Sequence, residues 1–164
     1  MGLAPGRTGA NRTGRPFTGD HAGLLLYQTL QKTGFATGQY QVDGLDDLAL
    51  HDCMITNAVR CAPPGNKPLP AEEAACRPHL TARITALPQL KAIITLGDVS
   101  RRNVLKALGA KASDVAPGHG SEGQVGPYRL FNSYHCSRLN TNTGRLTPAM
   151  FEAVFLAAKA HVQA

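Results

Sequence analysis

The mostly apolar stretch KAIITLG, Lys91–Gly97, indicates the fold class of this chain. It is a compact apolar run closed by a glycine, which is typical of a strand buried on both faces of a parallel sheet. The residues that follow it, Asp98–Leu108, have the pattern of a helix. Because a strand that passes directly into a helix is the repeating unit of α/β proteins, the chain is predicted to have a mostly parallel sheet.

The regions on either side continue this alternation of strands and helices. A helix is predicted over Ala22–Thr33, begun by Asp20 as its N-cap and ended by Gly34. The other predicted elements are a strand at Cys53–Arg60, a helix at Ala71–Leu87 with a break or kink at Pro78, an exposed loop at Gly109–Gly126, a strand at Tyr128–Ser133 and a helix at Pro148–His161 capped by Thr147. No internal repeat is present, and we expect one domain over residues 1–164.

Composition limits the classes of function. The 17 Lys and Arg residues against 11 Asp and Glu give a net charge of +6, which favours a polyanionic partner. The absence of Trp and an aromatic content of 5% argue against a broad stacking surface for single strands. No apolar run approaches the roughly 20 residues that cross a bilayer, and the first nine residues are too Gly-rich for a signal peptide. We therefore expect a cytoplasmic protein.

Three separated stretches combine glycines with polar residues. They are GLAPGRTGANRTGRPFTGD (Gly2–Asp20), ITNAVRCAPPGNKPLP (Ile55–Pro70) continuing to Cys76, and HCSRLNTNTGRLT (His135–Thr147). With these three stretches in this order, the chain resembles the uracil-DNA glycosylase superfamily, specifically its type-5, iron–sulfur branch. The resemblance covers the chain nearly end to end, and it implies a three-layer αβα sandwich with a short, mostly parallel central sheet.

The resemblance also implies the chemistry. A glycosylase of this kind extrudes uracil, or hypoxanthine and xanthine, from DNA and hydrolyses the bond from base to sugar. The transition state resembles a sugar cation leaving a base anion, so it calls for a negative or water-orienting group below the sugar and for donors around the base. No lysine is placed for a Schiff base in the three stretches, and a monofunctional enzyme is therefore expected.

Three residues are the catalytic candidates that the resemblance implies. Asp20 would position the water and stabilise the sugar cation, although it could equally be a plain helix cap, and both roles could hold together. Asn66 would help to place the water, with a turn-forming role as the alternative. His135, expected just after the last strand, would donate an N–H to the departing base oxygen, unless it is a structural histidine.

Five further residues are expected to bind the extruded base. Phe17 would stack on it, or would otherwise be an ordinary core residue. Asn57 offers a donor and an acceptor that suit the edge of uracil, or it could bond nearby backbone. Gly2, Ala4 and Gly6 would keep the backbone close to the base and sugar, or would simply form a turn.

The remaining candidates concern DNA. Leu139 would be the wedge that replaces the extruded nucleotide in the stack. Arg12 and Arg15 could contact the DNA backbone or be solvated surface arginines. The other expected DNA contacts lie beside the wedge: Ser137, Arg138, Asn140, Thr141, Thr143 and Arg145.

The cysteines depart from the pattern of the type-5 branch. Cys61 and Cys76, with fourteen residues between them, match the second pair of ligands of a [4Fe–4S] cluster, which takes four thiolates. The family's first pair lies upstream of GLAPG, and so does the strand that feeds this loop. We therefore expect a chain that lacks its N-terminal strand and first cysteine pair, and a cluster held only by the longer protein. Cys53 and Cys136 are expected to be packing residues.

Two other hypotheses remain open beside the enzyme. The chain could be a damage-recognition module that extrudes bases without efficient cleavage, or an inactive fragment. In each case the expected partner is DNA that contains uracil or another deaminated base, bound by a monomer with no membrane involved.

Overall fold

The structure is a computed structural model that describes all 164 residues. None of its helices combines the length and the apolar character that crossing a bilayer requires. In chain order the elements are α1 (Ala10–Thr13), α2 (His21–Lys32), β1 (Ala36–Thr37), β2 (Ala49–Leu50), α3 (Pro70–Thr85), β3 (Ala92–Leu96), α4 (Asp98–Ala107), β4 (Glu122–Val125), β5 (Tyr128–Ser133), α5 (Arg138–Asn142) and α6 (Pro148–Gln163).

The central sheet has the order β3-β5-β4. β3 and β5 are parallel, while β4 is antiparallel to β5. The segment Met1–Leu3 lies along the free edge of β3: the Met1 amino group donates to Ile94 O over 2.7 Å, and Leu96 N–H donates to Met1 O over 2.9 Å. On its other side, Gly2 N–H donates to Thr56 O over 2.8 Å. Backbone pairing therefore continues past β3 to the residues around Thr56.

Helices cover both faces of this sheet. α4 and α6 both contact β3, α2 packs on α6, and α3 packs on α4. Alternate residues of β3 serve the two faces, since Ile93 belongs to a buried cluster of the α3 and α4 side, whereas Leu96 packs among residues of α2 and α6. Because successive side chains of a strand point to opposite faces, this arrangement follows from the apolar run itself. The α/β sandwich with parallel pairing is confirmed.

Local capping signals determined where several helices begin. Asp20 Oδ1 accepts a hydrogen bond from Gly23 N at 3.0 Å and starts α2. Thr147 Oγ1 accepts from Met150 N at 3.2 Å and starts α6. The predictions of α2, β3, α4, β5 and α6 are confirmed to within two residues at each boundary.

Three predictions about elements were wrong. The stretch Cys53–Arg60 is not a regular strand: it forms a single parallel bridge, between Asn57 and Gly2, because the neighbouring segment offers few residues to pair with. Gly109–Gly126 is not wholly a loop, since its last residues form the edge strand β4, whose polar side chains face solvent. α3 agrees with the predicted helix to within two residues at each end, but it is not broken at Pro78, which is exposed.

A cavity of about 150 Å³ lies between β3 and the residues before Asn57. Its walls are almost entirely apolar and include Leu30, Ile94 and Phe155. The amino group of Met1 lies beside it, and burial lowers the pKa of that group to about 6. The cavity follows β3 along its length, from Ala92 to Leu96.

Candidate active site

A polar pocket of about 460 Å³ lies at the carboxyl ends of the parallel strands. Strands that run parallel bring the loops after their carboxyl ends to one edge of the sheet, which is where α/β proteins bind ligands. The three sequence stretches meet there. The pocket is lined by Leu3, Ala4, Pro5, Gly6, Arg7, Thr8, Gly9, Phe17, Asp20, Asn57, Asn66 and His135.

Asp20 has two separate tasks for its two carboxylate oxygens. Oδ1 accepts the hydrogen bond from Gly23 N that caps α2. Oδ2 lies on the pocket side, 3.9 Å from where a Cβ would stand on Gly6 or on Gly9. Asp20 is exposed and lines the pocket, so one carboxylate group both caps α2 and faces the pocket.

His135 follows the last strand by two residues, as expected. Burial lowers the pKa of His135, and the negative charge of Asp20 opposes this shift only in part, so the imidazole is neutral at neutral pH. Its backbone carbonyl accepts a hydrogen bond from Asn140 Nδ2 at 2.8 Å. Behind it, Gly97 has φ of 92°, and a Cβ there would stand 3.4 Å from the Cβ of His135. The loop is therefore packed directly against the end of β3.

Phe17 is both a core residue and a wall of the pocket. It is 8% exposed, and its ring centroid lies 6.1 Å from that of His135. A Cβ on Gly2 would lie 2.6 Å from Cζ of Phe17 and 2.4 Å from Oδ1 of Asn57. The lack of a side chain on Gly2 therefore makes room for Phe17 and Asn57. The expectation was that it makes room for the base and the sugar.

The two asparagines differ in their surroundings. Oδ1 of Asn57 is buried and has no hydrogen-bond partner in the protein, which is uncommon for a buried polar atom. Asn66 is exposed, with φ of 57° directly after Gly65 at 63°. Asn66 therefore does form a turn, and this turn brings it to the pocket.

Some of the side chains predicted to contact DNA are exposed, and others are bound to groups of the protein. Arg12, Arg138 and Leu139 are exposed, and Leu139 is 72% exposed on the short helix α5. The expectation for Arg15 is not supported, because its guanidinium makes two hydrogen bonds of 2.6 Å to Asp46. These two guanidinium donors of Arg15 are therefore used within the protein.

The other side chains of the α5 loop mostly hold the loop itself. Ser137 Oγ caps α5 by accepting from Asn140 N at 3.4 Å, and Asn140 Nδ2 is bound to His135 O. Thr141 Oγ1 lies 3.0 Å from Nε2 of His21 on α2. Arg145 lies over the ring of Tyr134, 4.5 Å from its centroid.

Sequence reasoning did not single out Arg7 and Thr8, although both line the pocket. Arg7 is exposed and carries the positive charge nearest to the glycine loop. Both lie within the quoted stretch Gly2–Asp20, between Gly6 and Gly9, and this flanking by glycines was the available signal.

The cysteines of this chain do not fit a four-thiolate cluster. No three of its His, Cys, Asp and Glu side chains are grouped so as to hold a metal ion. Cys53 donates its thiol to Phe35 O, and burial raises its pKa to about 11; burial raises the pKa of Cys136 to about 12. Both therefore remain thiols, and only Cys61 and Cys76 stay as candidate ligands.

Comparison with known proteins shows the family to which this chain belongs. Residues 1–159 match the family model described as the uracil DNA glycosylase superfamily. The chain is 43% identical over 160 residues to the type-5 uracil-DNA glycosylase of Thermus thermophilus, which covers 97% of this chain and 73% of the relative. It is 43% identical to that of Mycobacterium bovis and 41% identical to that of Pyrobaculum aerophilum, which cover 97% and 90% of this chain.

The chain spans 60% of the Mycobacterium protein and 64% of the Pyrobaculum protein. The family match extends over nearly the whole chain, and its range includes every residue that lines the polar pocket. This chain therefore belongs to the uracil DNA glycosylase superfamily, and within it to the type-5 branch.

Proposed function

We propose that this protein is a monofunctional glycosylase of base-excision repair that hydrolyses the N-glycosidic bond of uracil in DNA, and also that of hypoxanthine and xanthine. The observation that carries the proposal is the meeting of Asp20, Asn57 and His135 around one pocket. These residues are far apart in sequence and nevertheless line the same pocket, at the edge of the sheet where the active site was expected. Coincidence is a poor explanation of this arrangement.

The pocket is suited to hold an extruded base. Phe17 offers a ring face, and aromatic faces stack on nucleic-acid bases of any sequence. The unpartnered amide oxygen of Asn57 can accept the N–H of a deaminated base. A base that fills this place satisfies a buried atom that the protein leaves unpaired, which favours binding.

The same pocket is suited to bond cleavage. As the bond breaks, positive charge develops on the sugar and negative charge on the base. Asp20 supplies a carboxylate for the sugar cation and, together with Asn66, polar atoms for the attacking water. His135, whose imidazole is neutral, donates its N–H to the departing base oxygen.

Exposed side chains around the pocket are suited to hold the DNA. We assign phosphate contacts to Arg7, Arg12 and Arg138, since phosphate contacts position a protein on DNA. Leu139 is the wedge that enters the gap left by the extruded nucleotide. For Cys61 and Cys76 we propose two of the four thiolates of a [4Fe–4S] cluster, and no step of the hydrolysis depends on it.

The test is a single-turnover assay on duplex DNA that carries one uracil, with matched duplexes that carry hypoxanthine, xanthine or no lesion. We expect release of free uracil, and slower release of the other two bases, with an abasic product strand. Tight binding of the uracil duplex without any release would contradict the enzyme and favour the damage-recognition module. Release of uracil alone would restrict the proposal to that base.

A further inference from the structure

The segment Arg15–Phe17 has three consecutive backbone carbonyls, each of which accepts a hydrogen bond from a different hydroxyl. Thr18 Oγ1 donates to the first over 2.7 Å, Tyr27 to the second over 2.6 Å, and Tyr40 to the third over 3.2 Å. We call these three hydroxyls the carbonyl clamp. Ordinary loops leave most such carbonyls to water, so three held in a row fix this backbone.

Phe17, whose carbonyl accepts the third of these hydrogen bonds, has an uncommon backbone conformation. Phe17 has φ of 60°, in the left-handed region that a residue with a Cβ rarely adopts and that persists only where its surroundings hold it. The backbone of α2 packs closely against the same carbonyl, since a Cβ on Gly23 would lie 1.8 Å from Phe17 O. The backbone conformation of Phe17 is therefore stabilised by the contacts of its carbonyl group and not by the intrinsic φ/ψ preference of the residue.

The two tyrosines of the clamp are themselves held. Their rings are stacked, with centroids 4.5 Å apart and planes 16° from parallel. The guanidinium of Arg15 lies 5.2 Å and 5.5 Å from these centroids and is bound to Asp46, whose side chain is 1% exposed. The guanidinium also holds the pKa of the Asp46 carboxyl far below its usual range, so the pair stays charged. The groups around the Phe17 carbonyl are therefore connected to each other by ring stacking, and Arg15 is connected to Asp46 by an ion pair.

We infer that the hydroxyls of Tyr27 and Tyr40 are positioning groups that fix the ring of Phe17 in the pocket for stacking on the extruded base. Their effect passes through the backbone of Phe17, whose ring lies 6.1 Å from His135. The inference rests on the proposed function, because it takes Phe17 as the surface on which the base stacks. In this inference Arg15 acts indirectly, by packing against the rings of the two tyrosines.

The test removes hydroxyls one at a time. Tyr40→Phe and Tyr27→Phe keep the rings and delete only the donor, and each is expected to lower kcat/KM for uracil release about three- to ten-fold, the effect of one hydrogen bond. The loss should fall on KM, because a displaced ring weakens capture of the base, while kcat at saturating DNA stays near the wild-type value. Tyr128→Phe is the matched control, since the Tyr128 hydroxyl holds no carbonyl, and it should change neither constant.

A double-mutant cycle with Phe17→Leu shows through which residue the hydroxyls act. If they act through the ring of Phe17, Tyr40→Phe should cost little once that ring is gone, so the two losses should not add. Additive losses, or a loss confined to kcat, would overturn the inference. Tyr40 is the more exposed of the two tyrosines, so its variant decides the question even if Tyr27→Phe yields less folded protein.

Hydrogen exchange separates this inference from the proposed function. Backbone amides of Thr18–Asp20 should exchange faster in Tyr40→Phe than in the wild type or in Tyr128→Phe, whether or not the protein releases uracil. Faster exchange in a protein that releases no uracil would reject the proposed function and keep the clamp. Unchanged exchange would reject the clamp, whatever the activity.

Discussion

Two cavities of this molecule have opposite character. The segments Met1–Leu3 and 53–57 contribute to both, whereas β3 lines only the apolar one. An apolar cavity of about 150 Å³ follows β3, whereas a polar pocket of about 460 Å³ collects Asp20, Asn57 and His135. The difference predicts that substitutions at the apolar cavity change stability and that substitutions at the polar pocket change activity.

The largest expected effect is at the polar pocket. Asp20→Asn keeps an oxygen that can cap α2 but removes the negative charge, so uracil release should slow by about two to three orders of magnitude, the usual cost of one group that stabilises transition-state charge. Single-turnover rates measure the loss. Thr147→Ala is the control: it removes the cap of α6, and it should cost about 1 kcal/mol of stability and no activity.

The apolar cavity should respond in the opposite way. Ile94→Ala removes a wall of the cavity and a neighbour of the core, and it should lower the free energy of unfolding by about 2–4 kcal/mol while the folded fraction keeps its rate of uracil release. Urea unfolding measures the change. Leu156→Ala is the matched control on α6, because Leu156 is 48% exposed, and it should change stability little. A large loss of rate per folded molecule in Ile94→Ala would show that the apolar cavity and the polar pocket are not independent.

Leu139 tests the rim of the polar pocket. Leu139→Ala should weaken uracil release from duplex DNA about ten-fold more than release from single-stranded DNA, because only the duplex must be unstacked, at a cost of a few kcal/mol. Leu45→Ala, at a side chain 79% exposed in the loop between β1 and β2, is the control and should affect neither substrate. Equal losses on both substrates would remove Leu139 from the wedge role.

The smallest effect concerns pH. Because burial lowers the pKa of His135, the unfolded chain takes up this proton at a higher pH than the folded chain does. The unfolded state is therefore favoured as pH falls through about 6.5, and the free energy of unfolding should decrease there by about 1 kcal/mol or less. His135→Asn should remove this part of the slope, measured by urea unfolding at pH 7.5 and 5.5. His119, whose pKa burial also lowers, is present in both proteins and cancels in the comparison.

Local signals predicted most of the secondary structure. The run Ala92–Leu96 is apolar enough to be a strand in any context, and Asp20 and Thr147 mark helix starts through bonds to residues three positions on. The wrong strand predictions concern segments whose conformation depends on pairing with residues distant in sequence. Cys53–Arg60 has the residues of a strand, but pairing depends on the few residues of Met1–Leu3 beside it. β4 is a strand only because β5 lies against it.

The residue types of the candidate site and their order are visible in the sequence alone, because capping, turns and apolar runs act over a few residues. Which side chains meet depends on the folded chain. Arg15 is as basic as Arg12, yet its guanidinium is bound to Asp46, 31 residues away. The physical reason is that charge and shape complementarity between distant residues depends on how the parallel strands bring the loops together, and local sequence carries no record of that distance.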